Sequence, residues 1–205
     1  MVIQIVKFVK SSADLKSCPR EGPPEYAFAG RSNVGKSSLL NLLVNMHNLA
    51  KTSAKPGKTR LINHFLVNES WYLVDLPGYG YARAGKSTRD KFLLTIGNYL
   101  LQRKTLSCLF ILIDCRHKPL SNDVEFINWA GSANIPIAIV FTKADKLSGP
   151  ALNRNVNLYK NTLLQTWEQL PPVFISSAMD MTGRDEILDF IQKANEYHSR
   201  AHSEL

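Results

Sequence analysis

The sequence predicts a three-layer α/β fold: a mostly parallel central sheet with helices on both faces. Three observations carry that expectation. Strand-like apolar runs alternate with helical stretches along the chain, the pattern of strand–helix–strand units. Several runs are almost continuous in apolar residues, as strands covered on both faces require. The 205 residues are 44% hydrophobic and 20% charged, enough for one domain with a sizeable core and too apolar for disorder.

Runs at 26–29, 61–67, 71–75, 107–114, 136–141 and 172–175 read as strands, and helical spacing falls at 36–46, 88–102, 121–132, 152–168 and 184–197. Residues 1–9 add an edge strand before the first loop. Pro19, Pro23 and Pro24 mark an extended connection. The chain thus divides into an N-terminal extension (1–24), a main domain (25–198) and a short tail (199–205). Residues 48–60 and 78–88 are polar, basic and glycine-bearing, and read as mobile loops.

The charge is unevenly spread. The net +8 arises entirely between Tyr26 and Ile113, where 12 Lys/Arg face three acids, while the rest carries 13 Lys/Arg against 14 acids. No acid lies between Glu25 and Glu69. A solvated face usually mixes signs, so a large polyanion, RNA first, is the expected partner; a basic surface serving solubility is the plainer alternative. Cys18, Cys108 and Cys115 have neither metal nor redox spacing, and an odd count suits a reducing cytoplasm. No apolar run is long enough to span a bilayer, and neither end shows a signal peptide or prenylation motif. The expected protein is a cytoplasmic monomer away from membranes.

The chemistry starts at Gly30-Arg31-Ser32-Asn33-Val34-Gly35-Lys36-Ser37, which fits G-x-x-x-x-G-K-S/T. An apolar run precedes it and helical spacing follows, the strand-to-helix turn that a phosphate-binding loop needs. Backbone N–H groups and the helix N-terminus can close on phosphate oxygens. Lys36 reaches the β- and γ-phosphates, and Ser37 offers a hydroxyl to Mg²⁺.

Four further segments select the nucleotide. Asp75-Leu76-Pro77-Gly78 ends a strand as D-x-x-G: Asp75 can hold Mg²⁺ through water, and the Gly78 N–H can sense the γ-phosphate. Thr142-Lys143-Ala144-Asp145 fits N/T-K-x-D. The Asp145 carboxylate can accept both adjacent donors of guanine, and adenine offers no such pair. Ser176-Ser177-Ala178 follows the last strand, with the Ala178 N–H placed for guanine O6. Pro56-Gly57-Lys58-Thr59 supplies Thr59, whose hydroxyl and N–H suit Mg²⁺ and γ-phosphate. Five elements in this order imply a GTP-binding protein of the Ras-like P-loop class.

The strings Glu25 to Leu39, Pro56 to Thr59, Asp75-Leu76-Pro77-Gly78-Tyr79-Gly80-Tyr81-Ala82, Ile113-Asp114-Cys115-Arg116-His117 and Thr142 to Leu147 resemble the EngB (YsxC/YihA) GTPases of bacteria and organelles. The resemblance covers roughly residues 3 to 195. It implies a switch in assembly of the large ribosomal subunit, with a tie to cell division and septation. It also implies a site running over Gly57, Lys58, Thr59, Arg60 and Leu61 and over Ser38, with Lys36, Thr59 and Gly78 at the chemistry.

Hydrolysis needs an attacking water held in line, and Ras-type enzymes use a glutamine after the D-x-x-G glycine. Tyr79 stands there, and a phenol cannot donate and accept as an amide does. Slow turnover is expected, aided by a partner or by K⁺. Two readings of Asn33 stand: a K⁺ ligand beside the phosphates, or a residue that stabilises the loop. Arg31 is expected at a solvent or switch contact, and Arg116 and His117 at loop packing or RNA. Tyr79, Tyr81, Arg83, Lys86, Arg89 and Lys91 interleave aromatic and basic character, suited to RNA; packing of the tyrosines on the domain itself is the alternative.

Overall fold

The structure is a computed structural model that describes residues 1–46, 49, 61–79 and 96–203. The expectations for Gly57, Lys58, Thr59 and Arg60, and for Tyr81, Arg83, Lys86, Arg89 and Lys91, lie outside the described residues.

Among the described residues, seven strands form one sheet in the order β1-β3-β4-β2-β5-β6-β7. They are β1 (Val6–Ser12), β2 (Glu25–Gly30), β3 (Ile62–Val67), β4 (Trp71–Asp75), β5 (Leu106–Asp114), β6 (Ile137–Thr142) and β7 (Val173–Ile175). Strands β4, β2, β5, β6 and β7 pair in parallel. The β1–β3 and β3–β4 pairs are antiparallel, which makes the sheet mixed but mostly parallel. The expected edge strand at 1–9 sits at Val6–Ser12, and its register shifts between Phe8 and Lys10. A bulge and the flanking lysines suit an exposed edge, since both discourage further pairing.

Helices α1 (Lys36–Val44), α2 (described over 96–102), α3 (Ser121–Ser132), α4 (Gly149–Leu163) and α5 (Arg184–Ser203) cover the sheet. Helix α1 ends before the expected 46, because Asn45 takes a left-handed conformation (φ 54°) and caps it. Helix α4 begins before the expected 152 because Pro150, at the first helical turn, is pre-set for helix entry. Helix α5 runs past the expected 197, no Gly or Pro interrupting it.

Side-chain alternation along the strands builds two cores. Tyr26, Phe28, Phe110 and Leu112 face α1 and α5, packing with Leu39, Leu40, Leu43, Ile187, Leu188 and Ile191. Ala27, Ala29, Ile111 and Ile113 face α2, α3 and α4, with Tyr99, Ile127, Ala130 and Tyr159. Both faces of β2, β5 and β6 are therefore buried, the reason these strands read as unbroken apolar runs. Among the described residues no helix is long and apolar enough to cross a membrane.

Candidate functional site

The carboxyl ends of β2, β4, β5, β6 and β7 point to one edge of the sheet, where an open α/β sheet places its ligand crevice. Each of those ends carries one of the segments singled out from the sequence. The phosphate loop leaves β2 at Gly30 and turns into α1 at Gly35, whose φ of 102° is open to glycine and strained for other residues. Lys36, Ser37 and Ser38 form the first turn of α1. The backbone N–H groups of that turn have no partner inside the helix and are available to an anion.

The D-x-x-G loop leans directly on the phosphate loop. A Cβ on Gly78 would lie 2.9 Å from the Gly30 carbonyl oxygen, so no larger residue fits without a shift. The Leu76 N–H donates to the Phe28 carbonyl (3.1 Å), and Arg31 bridges to Tyr79 in parallel, extending the β2–β4 contact past the strand ends. Asp75 is buried, and its carboxylate accepts from the Lys36 ammonium and, at 3.4 Å, from the Asn63 amide. Leu61, the one described member of the expected 57–61 stretch, is exposed beside β3.

The two guanine-type segments also meet. The Ala144 N–H donates to the Ser176 carbonyl (3.1 Å), and the Ser176 N–H to that of Phe141 (2.7 Å). The Ser177 hydroxyl donates to Asp145 Oδ1 at 3.1 Å, and the Lys146 ammonium lies 2.9 Å from Oδ2. Lys146 first, and Ser177 with it, hold the Asp145 carboxyl below its ordinary value, ionised and ready to accept. Ala178 follows at the loop's turn, next to Met179, whose N–H donates to the Ser177 hydroxyl.

Thr142 and Lys143 clamp this half to the phosphate loop. The Thr142 hydroxyl donates to the Val34 carbonyl at 2.6 Å. Lys143, itself left-handed (φ 63°), donates to the Asn33 carbonyl at 2.6 Å and to Asp114 Oδ2 at 2.8 Å. Asp114 was not among the expected site residues. It ends apolar β5 as Asp75 ends β4, and that parallel was the available signal. Burial opposes its ionisation, yet the hydrogen bonds from Arg116 and Lys143 hold its carboxyl far below the usual range.

Three expectations are sharpened or corrected. Asn33 is left-handed (φ 63°), a conformation that favours asparagine, and its side chain is exposed. Arg116 packs on its own loop, donating through Nε (2.9 Å) and Nη2 (2.7 Å) to Asp114. Tyr79 does not stand as a phenol facing the phosphates. It is 3% exposed and stacks on Phe126 with ring centroids 4.2 Å apart, so the alternative of packing on the domain holds for it. Burial, with nearby Asp123, raises its phenol well above the ordinary value.

Residues 25–143 match the family described as "50S ribosome-binding GTPase". The GTP-binding protein EngB of Porphyromonas gingivalis is 57% identical over 196 residues, covering 96% of this chain and 98% of its own. The EngB of Bacteroides thetaiotaomicron is 56% identical over 192 residues, covering 94% and 95%. A crystal structure of an EngB protein superposes with a TM-score of 0.68 at 20% identity, covering 84% of this chain and 99% of that one, a likeness of fold. Near-full-length identity of this order, on a fold whose nucleotide motifs converge at one crevice, makes the chain a member of the EngB family of GTP-binding proteins, and a GTPase.

Proposed function

We propose that this GTPase is a slow, nucleotide-dependent switch that acts in assembly of the large ribosomal subunit. The observation that carries the switch is the contact of Gly78 with the Gly30 carbonyl. A γ-phosphate entering the phosphate loop meets the Gly78 N–H, and any shift of Gly78 passes straight into Tyr79 and the chain beyond it. The ribosomal partner is supported by the family's description and by the basic excess between Tyr26 and Ile113. The protein acts as a cytoplasmic monomer, with a tie to cell division and septation.

In this reading Gly30 to Ser38 cradle the phosphates, with Lys36 as the cation, and Thr142 to Asp145 with Ser176 to Ala178 hold guanine. Thr59, in the stretch Gly57 to Leu61, is assigned from the sequence alone to give its hydroxyl to Mg²⁺ and its N–H to the γ-phosphate. Ser37, Thr59 and Asp75 offer hydroxyl and carboxylate oxygens, a hard donor set that fits Mg²⁺. Bound there, Mg²⁺ would neutralise charge on the phosphates. Asp75 orients the site, Lys36 binds phosphate oxygen, and the Gly78 N–H holds the transferring group. Because Tyr79 is turned into the core, the residue after Gly78 supplies no side chain to orient water. Turnover is therefore slow until a partner completes the site. The exposed Asn33 side chain is available to K⁺, and equal rates in KCl and NaCl would remove that role.

Sedimentation of cell extract on sucrose gradients tests the function. Co-migration with large-subunit particles in the presence of non-hydrolysable GTP, reversed by high salt, is expected. Free protein at the top of the gradient in both nucleotide states would overturn it in favour of a protein-directed signalling switch.

A further inference from the structure

Gly78 is pinned on one side by the phosphate loop, where a Cβ would lie 2.9 Å from the Gly30 carbonyl oxygen. On the other side it is held through Tyr79, the next residue, which is itself fixed in three ways. The Tyr79 backbone bridges to Arg31 in parallel. Its ring stacks on Phe126 of α3, with centroids 4.2 Å apart and planes at 26°. Its hydroxyl faces the Asp123 carboxylate and has no other partner among the described residues.

Asp123 and Phe126 are three residues apart in α3 and so share one face of that helix. The face forms a socket that takes the ring and the hydroxyl of Tyr79 together. The socket is closed, with Tyr79 3% and Asp123 2% exposed. No ligand reaches this pair, and whatever it does is done inside the fold.

The other hydroxyl beside Asp123 does not depend on it. Tyr159 donates to Asp123 Oδ2 at 3.4 Å, but it also reaches the Lys118 carbonyl at 3.2 Å and accepts from the Leu120 N–H at 3.3 Å. Burial raises the Asp123 carboxyl above its ordinary value, against the pull of Arg31 and of the Tyr79 and Tyr159 hydroxyls. Two of the groups that answer this buried acid, Arg31 and Tyr79, directly follow Gly30 and Gly78. Asp123 thus stands behind the contact that joins the phosphate loop to the D-x-x-G loop.

Resting on the reading that the Gly78 N–H meets the γ-phosphate, we infer that Asp123 is a positioning residue for GTP: it holds the Tyr79 hydroxyl and thereby sets where the Gly78 N–H stands. Hydrogen bonds weaken steeply with misalignment, so a Tyr79 that is free to shift loosens the γ-phosphate contact. GDP makes no such contact and is indifferent to the shift. An acid in the first turn of a helix also steadies the helix against its dipole. That plainer role lowers melting and leaves the preference between nucleotides unchanged, which separates the two.

The test measures the affinity of the full chain, with Mg²⁺ present, for GDP and for a non-hydrolysable GTP analogue. Wild type is compared with Asp123→Ala, Asp123→Asn, Tyr79→Phe and the double variant Asp123→Ala/Tyr79→Phe. Asp123→Ala is expected to lower affinity for the analogue about fivefold, the size of one hydrogen bond, and to leave GDP affinity unchanged. Tyr79→Phe is expected to do the same, and the double variant no more than either, because both changes remove one contact. Asp123→Asn keeps an acceptor of the same size and is expected to stay within about twofold of wild type. Equal losses for the two nucleotides, an unchanged affinity for the analogue, or additive effects in the double variant would overturn the inference. Where Asp123→Ala does not fold, Tyr79→Phe and Asp123→Asn carry the same comparison. Gly78→Ala reports on the underlying reading. If it lowers the preference for the analogue while Asp123→Ala and Tyr79→Phe do not, the socket assignment alone fails; if it too leaves the preference unchanged, the γ-phosphate reading fails with it.

Discussion

Lys36 donates its ammonium to Asp75, with the two side chains only 10% and 6% exposed. The cation for the phosphates and the carboxylate for the metal thus neutralise each other before nucleotide enters. Phosphates must draw Lys36 away, and a divalent cation on Asp75 makes that exchange easier. Removing Mg²⁺ with EDTA should therefore weaken GDP binding by at least about tenfold, roughly 1.4 kcal/mol. In Asp75→Asn the same treatment should cost only a few-fold, because the competing charge is gone. Calorimetry on both proteins checks this, and equal EDTA effects would contradict it.

Base selection rests on one ionised carboxylate. Asn in place of Asp145 keeps one acceptor and adds a donor, which clashes with the guanine amino group. Guanine affinity should fall about 100-fold in Asp145→Asn, the scale of losing charged hydrogen bonds in a partly dry site. Xanthosine nucleotides, with a carbonyl at that ring position, should bind the variant better than GTP does. Competition assays with GTP and XTP read this out.

Tyr79 is held by its ring. Tyr79→Phe keeps the stack on Phe126 but deletes the hydroxyl that faces the buried Asp123 carboxylate, so stability should fall by about 1 kcal/mol. Tyr79→Gln loses the stack and buries an amide, which should cost about 3 kcal/mol. It should not speed hydrolysis, because position 79 points into the core. A tenfold gain in single-turnover rate for Tyr79→Gln would show that the side chain reaches the γ-phosphate.

At the far end of β2, Glu25 is fully buried and accepts from Tyr99 (2.5 Å), Arg103 (2.8 and 2.6 Å) and Thr105 (2.8 Å), with His64 Nε2 at 3.4 Å. Burial alone would raise its carboxyl; His64, Arg103 and Tyr99 outweigh that and bring it down from 4.5 to about 2. A lowered folded value means that its stabilisation is present above the unfolded value and is lost as pH falls from 4.5 towards 2. Chemical denaturation across that window should show a steep loss in wild type and a shallower one in Glu25→Gln. At neutral pH the variant should be about 3 kcal/mol less stable, since it leaves Arg103 buried without its charge partner.

The burial of the central strands on both faces, their mostly parallel pairing and the four described nucleotide segments were legible along the chain, because each depends on spacing over a few residues. A turn from strand to helix needs Gly35 and Lys36 where they stand, and a carboxylate selects guanine by its own chemistry at Asp145. Helix ends were less legible: Asn45 stops α1 by a left-handed backbone that composition does not announce. The antiparallel β1–β3 edge, with its shift at Phe8, depends on pairing across 50 or more residues of chain.

The direction of a side chain and the identity of its partner were decided only by the tertiary structure. Tyr79 stands in the catalytic-glutamine position along the chain, yet α3 brings Phe126 against it and turns it inward. Asp114 and Lys143 are 29 residues apart and meet because β5 and β6 pair with Asp114 opposite Thr142. The Asp123 carboxylate meets the Tyr79 and Tyr159 hydroxyls only because α3 packs between the loop after β4 and helix α4. The sequence by itself thus determined which ligand the crevice takes, since that follows from local backbone geometry and functional-group chemistry. Sheet register and helix packing decided which charges are neutralised, which ring is buried and which hydroxyl meets which carboxylate, because those contacts join residues far apart in the chain.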